Sequence, residues 1–343
     1  MRVSIADVAR RASVSISTVS RVLNRRELVN AQTRARVERA IRELGYQPNA
    51  FARGLMLHRS EIVGLVLPDL HGEFYSEIIR GANLRARELG YNLVVSSARD
   101  GDDSRSLLTA IRQRGLLDGA AVMVSELTDP IQQVLADFRL PLVVLDEEIE
   151  GAPHDSVLID QQHGALAMMQ HLVGACGARR IIFVGGLETN LDTIARFQAY
   201  RQVLSTAGIP FSADDVYYLN YDYDRAYALA ARHVRDWRGP GCCVFAANDE
   251  MAAGIVAAAT AAGLSVPRDL AVVGFDDTRV ARLTRPPLTT VRVPMADMGA
   301  RAIELLCQRI ADPQRPPTRI SLKPQLVVRQ SCGAAQTPDR SSH

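Results

Sequence analysis

No unbroken apolar run in these 343 residues approaches the roughly 18 to 20 that a membrane-spanning helix needs. The N-terminus shows neither an apolar stretch nor a small-residue cleavage site, so the sequence predicts a cytoplasmic protein that spans no membrane. Cysteine is scarce. The five residues Cys176, Cys242, Cys243, Cys307 and Cys332 are odd in number and form neither a Cys-x-x-Cys pair nor a Cys/His grouping along the chain, which argues against disulfides and against zinc. Cys242 and Cys243 read as structural strand residues. Lysine is nearly absent, Lys323 being the only one, and nothing in the sequence gives that arginine bias a function. Catalytic signatures are missing as well: there is no Gly-x-Gly-x-x-Gly, no P-loop and no Gly-x-Ser-x-Gly. His163 and His171 share one expected helix at a spacing that reads as surface or core, not as a metal pair. Asp146 and Asp276 have no nucleophile or cofactor motif beside them, and no enzyme, cofactor or metal is expected.

What is present is a marked division of charge. Residues 1–60 carry 12 Arg against 4 Asp plus Glu, while the whole chain holds 40 Lys plus Arg against 38 acids, so a basic head sits on an acidic body. A small basic module of this kind suits phosphate neutralisation and salt-sensitive binding. The length and the 47% hydrophobic composition allow a large core and two or three domains.

Ser4 and Asp7 have capping-box spacing ahead of Ile5, Val8, Ala9 and Ala12, which predicts a first helix over 5–11. The segment 11–14 is too short for anything but a tight turn. Ser15 then caps a second helix reaching Leu23, with Val19, Val22 and Leu23 inward and Ser17, Thr18, Arg21 and Asn24 on the other face. Short hydrogen-bonding groups plus an arginine able to grip guanine bidentately suit a helix laid in the major groove. Asn30 opens a third helix over 31–44, and Gly45 stops it.

These residues resemble the lactose-repressor and purine-repressor family of bacterial transcription regulators. The resemblance is carried by Ile5-Ala6-Asp7-Val8-Ala9, by the stretch from Val14 to Asn24, and by Leu44-Gly45-Tyr46-Gln47-Pro48-Asn49-Ala50 with Ala52-Arg53-Gly54-Leu55; it continues to about Cys332. It implies that Ile16, Ser17 and Arg21 read bases while Thr18, Ser20 and Asn24 hold phosphates. It also implies a hinge helix from Asn49 to about Met56, formed with a dimer mate on DNA, where Asn49, Ala52, Arg53 and Leu55 meet the minor groove and Leu55 wedges a central base step. Two departures stand out: Ser13 where that family's turn often has glycine, and Gly54 where its hinge often has serine.

From residue 62 onward short apolar runs alternate with amphipathic stretches. Strands are expected at 62–67, 93–96, 120–124, 142–145, 157–159, 181–184, 217–219, 243–246, 271–275 and 289–291, with helices at 74–89, 104–114, 161–176, 194–207, 224–237, 249–262 and 296–311. Ten such strands exceed one comfortable sheet and predict two doubly wound parallel lobes. The resemblance makes this body similar to periplasmic sugar-binding proteins. The full expectation is a helix-turn-helix head (1–47), a hinge and linker (48–60), a two-lobed effector and dimerisation body (61–332) and a disordered tail (333–343) without the leucine heptads of a tetramer-forming coil.

Ligands of open parallel sheets sit beyond the strands' carboxyl ends. The residues there are Asp69, His71, Phe74, Tyr75, Asp146-Glu147-Glu148 and Asp160, then Asn190, Asp192, Arg196, Tyr221-Asp222, Asn248-Asp249-Glu250 and Phe275-Asp276-Asp277. Rings that stack on C–H faces, with converging carboxylate, amide and guanidinium groups, suit a polyol. The resemblance places Phe74, Asp146, Arg196, Asn248, Asp276 and the aromatic Tyr221 at effector-contact positions; Tyr75, Asn190 and Asp192 complete the candidate set. The three acids 146–148 favour a neutral pentose or hexose over an anionic effector. The expected partners are a near-palindromic double-stranded operator, that sugar and a second copy of the chain, with helix 74–89 at the dimer surface. Two alternatives stand at this stage: a corepressor-dependent regulator with a purine-like effector, weakened by Asn190 where the purine branch has an arginine, and a sugar-binding transport or receptor protein.

Overall fold

A computed structural model of the chain describes residues 3–24, 29–46, 60–97, 117–124, 126, 128–148 and 154–334. The chain divides into two compact units, Met1–Glu61 and Ile62–His343. The expected hinge residues Asn49, Ala52, Arg53 and Leu55, the expected helix 104–114 and most of the expected tail lie outside the described residues.

In the first unit, helix α1 (Ile5–Ala12) starts on a complete capping box. The Asp7 amide donates to Ser4 Oγ at 3.3 Å and the Ser4 amide donates back to Asp7 Oδ2 at 2.9 Å, satisfying donors that a helix start leaves open. Ser13 ends α1 in the left-handed region at φ 52°, the conformation that makes glycine common at such a turn. Helix α2 (Ile16–Asn24) opens with the Thr18 amide donating to Ser15 Oγ at 3.2 Å. Helix α3 (Ala31–Leu44) runs from the Asn30 cap to Gly45 at φ 61°. Val8, Ala9, Ala12, Val19, Val22, Val37 and Ala40 form the buried core, and Arg11 on α1 reaches Glu43 on α3 at 2.6 Å.

The second unit alternates strand and helix. In chain order it runs β1 (Ile62–Leu67), α4 (Gly72–Glu88), β2 (Asn92–Ser97), β3 (Gly119–Met123), α5 (Asp129–Ala136), β4 (Leu142–Leu145), β5 (Asp155–Ile159), α6 (Gln161–Gly174) and β6 (Arg180–Gly185). It continues through α7 (Leu191–Ala207), β7 (Val216–Tyr218), α8 (Tyr223–Trp237), β8 (Cys242–Ala246), α9 (Asp249–Ala261), β9 (Ala271–Val273), α10 (Arg279–Leu283), β10 (Thr290–Arg292), α11 (Met295–Ala311), β11 (Arg319–Leu322) and β12 (Gln325–Val327). A parallel sheet in the order β11-β5-β4-β3-β1-β2 builds the first lobe and a parallel sheet β7-β6-β8-β9 the second. Strands such as β3, β4 and β8 are buried along their whole length, as sheets covered on both faces require. No described helix is long and apolar enough to cross a membrane.

The structure departs from the sequence reading at identifiable places. Strands β11 and β12 and helices α5 and α10 were not expected. β11 and β12 carry no fully buried residue, so neither presents an apolar run. Thr290–Arg292 pairs antiparallel with β12, while isolated parallel bridges, Val273 to Thr289 and Asp276 to Arg292, set it beside the end of β9. Cys242 and Cys243 are buried in β8 as expected. Helices α4 and α11 cross at glycine: a Cβ on Gly81 would stand 1.9 Å from the Ala296 carbonyl oxygen, and one on Gly299 would stand 2.1 Å from that of Ile78.

Candidate functional site

The head presents one polar helix face. Ile16, Ser17 and Arg21 are exposed on α2, Thr18 and Ser20 are half-buried, and Asn24 is the last residue of the helix. Ile16 is 52% exposed, whereas Val19 and Val22 on the opposite side are buried. Ser15 Oγ lies 2.8 Å from Ser17 Oγ and 2.9 Å from Thr18 Oγ1, so the hydroxyls at the helix start are held as a cluster. The face combines an apolar knob, hydroxyls and a guanidinium over about one and a half turns, and it protrudes from the small core instead of packing into it.

In the body, backbone strain marks where the candidate residues sit. Asp146 after β4, Tyr221 after β7, and Asp276 and Asp277 after β9 all have positive φ, at 65°, 61°, 111° and 56°. Side chains other than glycine rarely adopt this region, and such outliers gather where a structure fixes a site. They lie at the carboxyl ends of strands from both sheets.

At the centre is Arg196 on α7, 2% exposed. Its Nη2 donates to Gln161 Oε1 at 2.9 Å and to Asp192 Oδ2 at 3.4 Å, its Nε also reaches Gln161 Oε1, and its Nη1 donates to the Ala247 carbonyl. The guanidinium lies over the Phe275 ring, 4.0 Å from its centroid, and 6.0 Å from that of Tyr221. Burial pushes the Asp146 and Asp276 carboxyls well above the usual carboxylate range. The Asp192 charge adds to the effect at both, and Arg196 opposes it. Burial raises Asp192 too, again against Arg196. Asp146 Oδ1, Asp276 Oδ1 and Gln161 Nε2 are buried and, among the described residues, have no hydrogen-bond partner. Native proteins leave few such atoms unpaired.

The neighbouring groups are firmly held. Tyr221 Oη donates to Asn190 Oδ1 at 2.8 Å and lies 2.8 Å from Thr193 Oγ1; Asn190 Oδ1 also caps α7 through the Thr193 amide at 3.0 Å. Asn248 caps α9, accepting from the Met251 amide at 2.9 Å, and its Nδ2 donates to the Tyr221 carbonyl at 3.1 Å. Gly186 makes room, since a Cβ there would fall 2.2 Å from the Tyr221 ring. Asp277, unlike Asp276, is fully engaged: Arg292 donates to it at 2.7 Å, Arg329 donates to its other oxygen, and Arg282 lies 3.6 Å away. Asp160 caps α6 through the His163 amide at 3.0 Å, and Asp69 accepts from the Leu70 and His71 amides.

Phe74 and Tyr75 begin α4, half-buried, with rings edge to face at 5.2 Å. Burial raises the Tyr75 phenol, and the charges of Asp192, Asp69 and Asp146 reinforce that rise. Hydrogen bonds also cross between the lobes: the Arg279 amide donates to Glu73 Oε2 at 2.7 Å, and Thr189 Oγ1 donates to Glu126 Oε1 at 2.6 Å. Sequence reasoning missed Gln161. It follows Asp160 at the end of the fifth strand, and inspecting one further residue there would have found it.

Residues 4–49 match the family of bacterial regulatory proteins of the lacI type, and residues 169–332 match a periplasmic binding protein-like domain. The chain is 34% identical over 333 residues to catabolite control protein A of Priestia megaterium, covering 96% of this chain and 99% of that one. It is 33% identical over 336 residues to the ribose operon repressor of Escherichia coli K12, again 96% and 99% covered. Its fold is similar to that of the lac repressor dimer bound to operator and the anti-inducer ONPF, with a TM-score of 0.85 at 27% identity over 97% of this chain and 99% of that one.

Proposed function

This chain belongs to the lacI family of bacterial regulatory proteins, and from that premise we propose that it represses a sugar-utilisation operon and is released from its operator by a small neutral pentose or hexose held between the two lobes. Proteins of this family are DNA-binding transcriptional regulators and not enzymes, so the cleft is read as a place where a ligand binds without reacting.

The observation that carries the sugar reading is the trio of unpartnered buried atoms around Arg196: Asp146 Oδ1, Asp276 Oδ1 and Gln161 Nε2. Each such atom costs about 1–3 kcal/mol while unpaired. Hydroxyls both donate and accept, so a polyol satisfies two carboxylate oxygens and an amide N–H at once. Three carboxyl groups around one guanidinium disfavour an anionic ligand. Phe74, Tyr75 and Tyr221 supply ring faces for its C–H groups, while Asn190, Asp192 and Asn248 line and fix the site.

On the DNA side, Ile16, Ser17 and Arg21 read bases in the major groove, Thr18, Ser20 and Asn24 hold phosphates, and Asn49, Ala52, Arg53 and Leu55 meet the minor groove at the centre of the operator. Two copies joined in part through α4 grip a near-palindromic site. The sugar favours one arrangement of the lobes, and differential affinity of the two arrangements for DNA couples the sites.

The experiment is a fluorescence-anisotropy titration of a labelled palindrome with a central CG step, repeated with a panel of pentoses and hexoses. One sugar is expected to weaken binding, and Arg21→Ala is expected to weaken it by about 1–3 kcal/mol. Tightening by the sugar, or indifference to all of them, overturns the inducer reading.

A further inference from the structure

The fold brings together three side chains that the sequence keeps apart and that lie outside the Arg196 cluster. His171 stands in the last turn of α6, Cys176 in the bend that follows, and Cys332 in the segment after β12. The donor atoms of all three lie within 4.8 Å of one another. His171 Nε2 is 3.4 Å from Cys332 Sγ across 161 residues of sequence.

We propose that His171, Cys176 and Cys332 form a zinc site with two thiolate ligands, one imidazole ligand and a fourth position open to water. Tetrahedral zinc with its usual bond lengths holds such donors about 3.5–3.8 Å apart. The imidazole–thiol distance already meets that spacing, and the rest of the cluster needs only a small contraction. Two soft sulfurs with one ring nitrogen select zinc over the hard oxygen-seeking cations. Cys332 is buried, whereas His171 and Cys176 are half-exposed, which leaves the fourth corner a path to solvent.

The buried ligand is held in advance. Thr289 Oγ1 donates to Cys332 Sγ at 3.1 Å, the kind of outer hydrogen bond that steadies a metal-binding thiolate. The adjacent Ser331 accepts the Thr289 amide on its Oγ at 2.8 Å and the Val272 amide on its carbonyl at 3.0 Å, so the Cys332 backbone is fixed beside β9 without any metal. Cys176 is positioned in turn by its own amide, which donates to the His171 carbonyl at 3.2 Å. Bound zinc would staple the end of α6 to the last described segment of the second lobe.

The test uses the full chain, reduced and freed of metal, titrated with Co2+ as a spectroscopic stand-in and then with Zn2+. The expected result is one equivalent of cobalt with a thiolate charge-transfer band and the visible bands of a tetrahedral ion, displaced by zinc. Cys176→Ser and Cys332→Ser should each abolish the charge-transfer intensity or weaken binding at least about tenfold, and Cys307→Ser should not. Should Cys332→Ser fail to fold by circular dichroism, alkylation of the wild-type protein keeps the question decidable: zinc should slow modification of Cys176 but not of Cys307. A wild-type chain with no tetrahedral cobalt spectrum, a spectrum unchanged in Cys176→Ser, or alkylation of Cys176 indifferent to zinc overturns the site.

Discussion

Replacing Arg196 with methionine removes a guanidinium that faces Asp146, Asp192 and Asp276 together. The loss has two parts. The uncharged part is the stranding of Gln161 Oε1 and the Ala247 carbonyl, both buried acceptors of Arg196 N–H groups, at about 1–3 kcal/mol each. The charged part is the loss of the counter-ion that opposes the burial-driven rise of three carboxyl pKa values. Breaking a buried pair from one side costs about 3–5 kcal/mol in all. The sign of the pH dependence separates the two parts. All three carboxyls already titrate above their unfolded values, so each contributes stability that is full at low pH and is lost as pH rises through its folded pKa. Without Arg196 these folded values rise further, and the variant loses more than the wild type over the same rise. Urea unfolding of both proteins should therefore give a stability difference of about 2 kcal/mol at acid pH, where the carboxyls are neutral, growing toward about 3–5 kcal/mol once the pH has risen through the raised pKa values of the wild-type carboxyls. A difference below about 1 kcal/mol at every pH, or one that shrinks as the pH rises, would refute the view that Arg196 balances the acidic cluster.

Three further outcomes are expected. Ser13→Gly relieves a left-handed residue at φ 52° and should stabilise the head by about 0.5 kcal/mol after the entropy cost of glycine, seen as slower amide exchange in α1 and α2. Asp249 is fully buried, accepts from Thr278 and Thr290, and is pushed up to about 7 by burial. Its contribution is present below about pH 4 and lost as pH rises through about 7. Asp249→Asn should therefore gain about 2–4 kcal/mol relative to wild type between those limits in urea titrations, and no relative gain would contradict the assignment. Gly81→Ala drives a methyl into the Ala296 carbonyl oxygen at the α4–α11 crossing and should cost about 3 kcal/mol in the same assay. A neutral result there would mean that the two helices can separate freely.

Much of this was written in local chemistry. Ser4 with Asp7, Asn30 and Gly45 announced the ends of α1 and α3 because capping is a short-range hydrogen-bonding problem, and the structure shows those bonds. Buried strands such as 62–67 and 142–145 were legible as apolar runs because both of their faces are covered. Strands β11 and β12 were not, because their residues are half-buried or exposed and their pairing partners lie far away in sequence. Scanning the carboxyl ends of strands brought up Asp146, Arg196, Tyr221 and Asp276, but it could not tell Asp276, with an unpartnered oxygen, from Asp277, neutralised by arginines. That distinction depends on Arg292 and Arg329, which only tertiary structure brings to the aspartate. The meeting of His171, Cys176 and Cys332 was hidden for the same reason.

The left-handed backbone at Asp146, Asp276 and Asp277 bears on how a scaffold of this kind can change its ligand. Among residues with a β-carbon, asparagine and aspartate tolerate that conformation best, so these corners admit little beyond a carboxylate, an amide or bare glycine. Drift in sequence at the strand ends would alternate between acid and amide without reaching a cation or a bulky apolar group. Under the proposed function, innovation in what the cleft recognises would then fall to positions on regular helices outside the Arg196 network, such as Phe74 and Tyr75, where the main chain imposes no such restriction. A library built to retarget this protein should randomise those helical positions and leave the aspartate corners alone.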